Sequence, residues 1–416
     1  MKVTILSNSK GGVFTVTMQW AKELVRKGCD ISIFFLTRSK TTEHLVSSER
    51  LHFYYFTTFL FLPDLRTLVK FLIYDHPDVI HINFAWVGPL AIFKKCLFKT
   101  PFIYTMHGIP QPWLEPSLLY KIAYTVEQCL LPFVASRSFA NVAVSNYVRV
   151  MLKKKYNIDS KVIHNAIDVK RLKPQNKKFS KRKLGFKETD FIILFVGKLH
   201  PYKDPLTLIR SVSAVGEKNL DLFLVIIGSG ELYKEAQKEV FELNLSNHVR
   251  FLEHVSDEKL ELFYWAADIF VLPSINDACP MVLFEAMSSG VPIIASMGGG
   301  CPEIVGDAGF LFNPGDSVDL AKKIAILLRN KVLLRKLGEN GRRRVTESFS
   351  LEDKANQYRK LYEVAIKSAL KSEGKRTKQV RKLADHTIFS NKRKNYGTSR
   401  FMYFYHAYGA RDNTRL

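Results

Sequence analysis

Two acids eight positions apart mark where this chain does chemistry. They lie in the stretch IFVLPSINDACPMVLFEAMSSGVPIIASMGGGCPEIV, from Ile269 to Val305. Asp277 falls in a polar loop, Pro273 to Pro280, and Glu285 falls a little over one turn into the helix expected from Met281 to Ser289. The short apolar run Ile269–Leu272 reads as a buried strand. Gly290 reads as a left-handed helix stop, with Pro292 just beyond it. A second buried strand, Pro292 to Ala295, leads into three glycines, Gly298, Gly299 and Gly300, and Pro302 restarts a helix. Strand, loop, helix, strand, Gly-loop, helix is the unit that places ligands at the carboxyl edge of an open parallel sheet. Helix N-termini at that edge favour a phosphate or diphosphate, and the glycines let backbone approach it closely. Taken alone, the two acids also fit a loop Asp and a solvated helix Glu.

The stretch resembles the donor-site signature of the retaining glycosyltransferases of family 4, which have the GT-B fold. Pro273-Ser274, an acid at Asp277, small Ala278, Pro280 and Glu285-Ala286-Met287 stand in the family's order, with seven residues between the acids. The first acid of the family is usually Glu followed by Gly; here they are Asp277 and Ala278. The resemblance implies an α/β chain with two Rossmann-like domains facing a cleft and a C-terminal helix returning to the first domain. It implies sugar transfer from a nucleotide-diphosphate sugar to an acceptor hydroxyl with retention, no essential metal and no further cofactor. Glu285 would bind the ribose hydroxyls and Asp277 the hydroxyls of the donor sugar. Pro280, Gly299, Gly300 and Glu303 match other family positions of that site.

The elements ahead of this unit repeat its logic. FIILFVGKLHPYKDPLTLIRSV, from Phe191, is a buried strand running into Gly197, Lys198 and Lys203, then a helix. It is similar to the family element whose Arg and Lys hold the donor diphosphate. Lys198 stands in the Arg position and keeps the charge without the bidentate fork. Two cations beside a leaving diphosphate neutralise charge as the glycosidic bond breaks. Gly228-Ser229-Gly230 follows the strand Leu220–Ile227 and resembles the family turn beside the nucleotide. Val249–Leu252 is a short strand, and Ser256 caps the helix Asp257–Ala267.

The first half opens as βαβ: a strand at Val3–Leu6, a loop from Ser7 to Gly12, a helix Thr15–Lys27 stopped by Gly28, and a strand Ile31–Leu36. Gly11-Gly12 departs from the dinucleotide spacing. In the resembled family a glycine pair here approaches donor and acceptor, so Gly12 joins the candidate site; a tight βα turn explains the pair equally well. DVIHIN (Asp78–Asn83) and FIYTMH (Phe102–His107) read as strands. His81, inside its strand, reads as a satisfied core residue. His107 ends its strand before Gly108 and is expected at the donor sugar, donating a hydrogen bond to a hydroxyl or stabilising developing charge. Ser145 is expected to cap the helix after the strand Asn141–Val144. His164-Asn165-Ala166-Ile167-Asp168 resembles the family's interdomain turn.

Domain boundaries follow. Residues 1–168 form an acceptor-side Rossmann-like domain, 169–187 a basic linker, 188–346 the nucleotide-sugar domain, 347–370 a return helix and 371–416 a basic, mobile tail. That tail holds 12 basic and 3 acidic residues. The 416 residues, 47% of them hydrophobic, suffice for two packed cores. No run is long enough to span a bilayer. MKVTILSN enters a strand directly, so no signal peptide is expected. Five scattered cysteines suit a reducing cytosol, with Cys279 and Cys301 read as small buried thiols.

The formal net charge of +23 implies an anionic partner without choosing among nucleic acid, anionic lipid and phosphorylated substrate. No nucleic-acid motif is present. Basic and aromatic residues from Phe93 to Lys99, with the apolar stretch Leu118–Phe139, suit peripheral contact with an anionic membrane at its inner face; core-facing stripes with solvated lysines fit as well. The resemblance implies an acceptor that is a glycan or lipid-linked sugar, as in lipopolysaccharide or capsule synthesis. Two readings stay beside the transferase: a nucleotide-sugar epimerase of GT-B type, and a non-catalytic scaffold or nucleic-acid binder with a degenerate donor site.

Overall fold

The computed structural model describes residues 1–9, 11–35, 45–55, 65–112, 117–216 and 221–391. Residues 1–366 form one compact unit and 367–416 a second. The first unit holds two fully parallel sheets. One has seven strands in the order β3-β2-β1-β4-β5-β6-β7: β1 Lys2–Ser7, β2 Asp30–Phe35, β3 Leu51–Tyr55, β4 Val79–Ile82, β5 Phe102–Met106, β6 Ala140–Ala143 and β7 Lys161–Val162. The other has six, in the order β10-β9-β8-β11-β12-β13: β8 Phe191–Val196, β9 Leu222–Ile227, β10 Val249–Leu252, β11 Ile269–Leu272, β12 Ile293–Ser296 and β13 Gly309–Phe312. Their central strands are buried apolar runs because helices cover both faces. The strand order reverses between β1 and β4, and again between β8 and β11, so each sheet has a switch point where loops part and a ligand fits.

The helices of the first half are α1 Gly11–Arg26, α2 Leu65–Val69, α3 Gly88–Phe98, α4 Leu118–Ala135 and α5 Asn146–Tyr156. Those of the second are α6 Lys177–Lys183, α7 Pro205–Gly216, α8 Tyr233–Glu242, α9 Asp257–Ala266, α10 Met281–Ser288, α11 Cys301–Val305, α12 Ser317–Arg329 and α13 Lys331–Ser348; α14, Leu351–Asn391, follows. Ser145 caps α5 through the amide of Val148, and Ser256 caps α9 through that of Lys259.

Three expectations shift. Helix α1 starts at Gly11, so Gly11 and Gly12 sit in its first turn rather than in a preceding loop. The segment expected as a linker contains α6, whose Lys181 is buried and donates to Asp268, 2.7 Å away, at the start of β11. The helix from Leu351 runs on to Asn391 instead of ending at Leu370. The aromatic cluster Phe401–Tyr408 lies outside the described residues.

Within the first unit, α14 packs on the first sheet. Tyr362 Oη lies 2.6 Å from His81 Nδ1, and Tyr358 Oη lies 3.3 Å from Thr105 Oγ1. The Tyr358 ring stacks on Trp20. His81 bonds Thr105 through its other nitrogen and is fully buried, as a satisfied core histidine should be. The return of the chain to its first half is therefore fastened by hydrogen bonds between groups that would be costly to bury alone.

Candidate active site

Loops leaving β8 and β11, at the switch point of the second sheet, hold the charged candidates. After β8 the chain makes a short helical turn, Pro201–Lys203, and leaves it through Asp204 in the left-handed conformation. That turn aims Lys203 at the β11 loop, where its Nζ donates to Asp277 Oδ2. Ser274 Oγ donates to the same oxygen at 3.3 Å. The two loops are also joined backbone to backbone, Ile275 N donating to Tyr202 O at 2.8 Å. Only 12% of the Lys203 side chain and 16% of that of Asp277 are exposed. Burial works against the Lys203 charge, but Asp277 outweighs it and holds the ammonium above its ordinary range.

The three glycines after β12 explain why the Asp277 loop keeps its shape. A Cβ on Gly298 would lie 2.0 Å from Ile275 O, one on Gly299 2.2 Å from Asp277 O, and one on Gly300 2.2 Å from Ala278 O. Gly300 N donates to Asp277 O at 2.7 Å. No side chain fits between these strands of backbone, and Gly299 has a positive φ of 63° besides. Gly228 and Gly230 do the same for the other loop: their Cβ positions would fall 1.9 Å from Gly197 O and 2.3 Å from Leu199 O. Gly197, Gly228 and Gly230 thus hold Lys198 and Lys203 in register by close packing of backbone. Lys198 is half-exposed and paired with Glu231 at 2.9 Å.

Glu285 lies in α10, after Pro280 at its N-terminus. Tyr264 of α9 donates to Glu285 Oε2 at 2.6 Å. Burial raises the Glu285 carboxyl above its usual range, against Tyr264 and Arg171, which favour the anion. Arg171 itself is forked between Glu261 at 2.8 Å and Asp257 at 3.3 Å. Sequence reasoning missed Tyr264 and Arg171; a Tyr between two other aromatics of a helix and a basic residue in a basic segment give little signal.

Glu303 has its carboxylate turned to the first half. Its oxygens accept from Asn146 N at 2.9 Å, from the Asn146 side chain at 3.0 Å and from Tyr147 N at 3.4 Å, at the N-terminus of α5. His164 Nε2 is bonded to it too. Burial opposes this anion, yet the His164 and Asn146 bonds hold its carboxyl below the usual range. Asn165 Nδ2 donates to Cys279 O at 3.0 Å. The segment expected to be an interdomain turn is thereby stitched to the Asp277 loop. Cys279 and Cys301 are buried, and burial pushes both thiols up, so neither is a thiolate.

The first half brings His107 and Gly108 to the same seam. A Cβ on Gly108 would lie 3.7 Å from that of Ala278. His107 Nε2 is 3.1 Å from Asn83 Oδ1, and burial lowers the imidazole to about 4. It is neutral at physiological pH, so it does not stabilise charge as a cation. Nothing lies within 4 Å of the Cβ position of Gly12, so protein packing does not demand a glycine there. Lys203, Asp277, Gly299 and Gly300 are thus gathered directly, with Gly108 across from Ala278. Glu285 is held separately by Tyr264, and Glu303 is committed to α5.

Comparison with known proteins agrees with this geometry. Residues 176–344 match the family described as glycosyl transferases group 1, and residues 10–171 match glycosyltransferase family 4. An uncharacterised glycosyltransferase of Methanocaldococcus jannaschii is 29% identical over 69% of this chain and 75% of its own. The UDP-Gal:alpha-D-GlcNAc-diphosphoundecaprenol alpha-1,3-galactosyltransferase of Escherichia coli is 26% identical over 84% of this chain and 93% of its own. Among solved structures, sucrose-phosphate synthase from Thermosynechococcus elongatus has the same fold, with a TM-score of 0.76 and 21% identity over 88% of this chain and all of that one.

Proposed function

We propose that this chain, which belongs to the family 4 glycosyltransferases and has their GT-B fold, moves a sugar from a nucleotide-diphosphate donor to an acceptor hydroxyl with retention at the anomeric carbon. The observation that carries the reading is the Lys203–Asp277 pair, clamped by the Gly298–Gly300 turn at the β8/β11 switch point. Lys203 exchanges Asp277 for the donor diphosphate. Asp277 is then released to a hydroxyl of the sugar. Lys198 adds a second positive charge at the phosphates, and Glu285, aimed by Tyr264, takes the ribose. The lysines and loop amides meet the charge that grows on the departing diphosphate without recourse to a metal. The departing phosphate oxygen takes the acceptor's proton. Thermal-shift screening of nucleotide-sugars identifies the donor, since a bound ligand raises apparent stability by mass action. Hydrolysis or transfer of that donor, lost in Glu285→Ala, supports a transferase. No stabilisation by any nucleotide-sugar, together with salt-sensitive binding to DNA, overturns it in favour of a binder. Conversion of the donor to its epimer without acceptor points to the epimerase.

The acceptor is a lipid-linked glycan presented at the inner face of an anionic membrane. The Escherichia coli relative is named for a diphosphoundecaprenol-linked acceptor, which supports this choice. The surface supports it too. Leu118, Ile122, Val126 and Phe133 form an exposed apolar stripe along α4, and Phe93 and Leu97 a second along α3. Arg137 lies over the Phe133 ring, 3.7 Å from its centroid. Glu127, the acid of α4, is buried and accepts from the amides of Ala85 and Trp86, so it adds no surface charge. No helix among the described residues is long and apolar enough to cross a membrane. An apolar face with basic residues and, among the described residues of α3 and α4, no exposed acid suits the interfacial zone of anionic lipid. Sedimentation with phosphatidylglycerol vesicles should retain the protein and lose it in Ile122→Asp; equal recovery with and without vesicles refutes the membrane reading.

A further inference from the structure

The hydroxyls behind His107 determine which of its ring nitrogens carries the proton. Ser7, ending β1, and Thr17, in α1, face the side-chain amide of Asn83, which follows β4. Their three polar atoms form a triangle with sides of 3.2 Å (Ser7–Thr17), 3.2 Å (Asn83–Ser7) and 3.0 Å (Asn83–Thr17). All three residues are buried. Every side is a hydrogen-bonding distance, so three hydrogens are needed. If the amide presents Nδ2, it supplies two and a hydroxyl supplies the third. If it presents Oδ1, only the two hydroxyl hydrogens are available, and one side becomes a contact of oxygen lone pairs in a buried site. The amide therefore turns Nδ2 to the hydroxyls and Oδ1 to His107 Nε2, 3.1 Å away. Oδ1 can only accept, so Nε2 must carry the hydrogen. A neutral imidazole has one N–H, which leaves Nδ1 as a bare lone pair.

We propose that Asn83 is a positioning residue that fixes His107 as the Nε2–H tautomer, so that Nδ1 accepts a hydrogen bond from a substrate hydroxyl. This rests on the transferase reading for the identity of the substrate, and reverses the role expected from the sequence, in which His107 donates. Burial of the ring supports it by keeping the imidazole neutral down to about pH 4. Nδ1 has no hydrogen-bond partner among the described residues. The consequence is a specificity rule. A donor whose hydroxyl at this position is replaced by fluorine or methoxy has no hydrogen to offer and loses the contact.

The test is the tautomer itself, read on the full-length protein without substrate. Histidine-ring 15N labelling resolves the 11 histidines, and the His107 signals are identified by their loss in His107→Gln. We expect a pyrrole-like Nε2 and a pyridine-like Nδ1 at pH 7. A protonated Nδ1, or an exchanging mixture in the wild-type protein, overturns the proposal whether or not any activity is found. Asn83→Leu should let the tautomers mix and lower kcat/KM about tenfold, the size of one lost hydrogen bond. Asn83→Asp places a carboxylate on Nε2–H and favours the imidazolium, so kcat/KM should fall toward acid pH with a new limb near neutrality. An equal loss at every pH would mean that Asn83 merely supports the fold, and would overturn the assignment. Failure of transfer with the tautomer as expected refutes the function and leaves this inference standing.

Discussion

Replacing Lys203 with methionine separates the two jobs assigned to it. The change keeps the length of the side chain and removes its charge, leaving Asp277 16% exposed with Ser274 as its remaining donor. Removing one partner of a buried ion pair costs roughly 3–5 kcal/mol, because the other charge stays behind without compensation. Here the Ser274 hydroxyl and some solvent remain, so the lower end applies, about 3 kcal/mol. The double variant Lys203→Met/Asp277→Asn removes both charges and should recover most of that loss, to within about 1 kcal/mol of wild type. Its affinity for the nucleotide diphosphate should not recover. A hydrogen bond to a charged group contributes about 1.5–3 kcal/mol, so Kd should rise about 10- to 150-fold in both variants. The Lys203 ammonium is held above its ordinary pKa, so the stability it contributes is fully present below about pH 10 and is lost only above that. The deficit of the single variant should therefore be flat from pH 6 to 9. Urea denaturation and titration calorimetry with the diphosphate found by thermal shift measure the two quantities. A double variant as unstable as the single one, or an unchanged Kd, would refute the reasoning.

Three further outcomes follow from the same geometry. Gly299→Ala puts a methyl group 2.2 Å from Asp277 O at a φ of 63°, so the Asp277 loop must move; donor affinity should fall at least tenfold, by calorimetry, with a Tm lowered by several degrees. Tyr264→Phe removes the 2.6 Å bond to Glu285 and should raise the donor KM more than it lowers kcat, with a stability loss of about 1–2 kcal/mol in urea. Because folding depresses His107 from its ordinary 6.5 to about 4, the protein must lose stability as pH falls through that window, and His107→Gln should reduce the loss by about 3 kcal/mol between pH 7 and 4.

What the sequence made legible depends on how local each cause is. Ile269–Leu272 has the bounds expected of it, since a strand buried on both faces is a continuous apolar run between turn residues. The Gly298–Gly300 run pointed to close backbone approach, and that approach is what the structure has, although the approaching backbone is the protein's own Asp277 loop. The burial of Lys181, within the basic segment, was not legible because a charge is read as solvated until its partner is known, and Asp268 is 87 residues away. The partners of Glu303 were hidden for the same reason. It matches a family acid of the donor site, and its hydrogen-bond partners, Asn146 and His164, belong to the other half of the chain.

Those distant partners have a physical consequence for the cleft. Two hydrogen-bonded contacts between distant parts of the sequence, Glu303 with Asn146 at the start of α5 and Asn165 with Cys279, bear on the loop and turn that carry Asp277 and its glycines. A glutamate at 277 would be one methylene longer than the aspartate that now accepts from Lys203 and Ser274. The shorter acid keeps its carboxylate within reach of both donors, in a loop whose backbone is held by Gly300 N donating to Asp277 O.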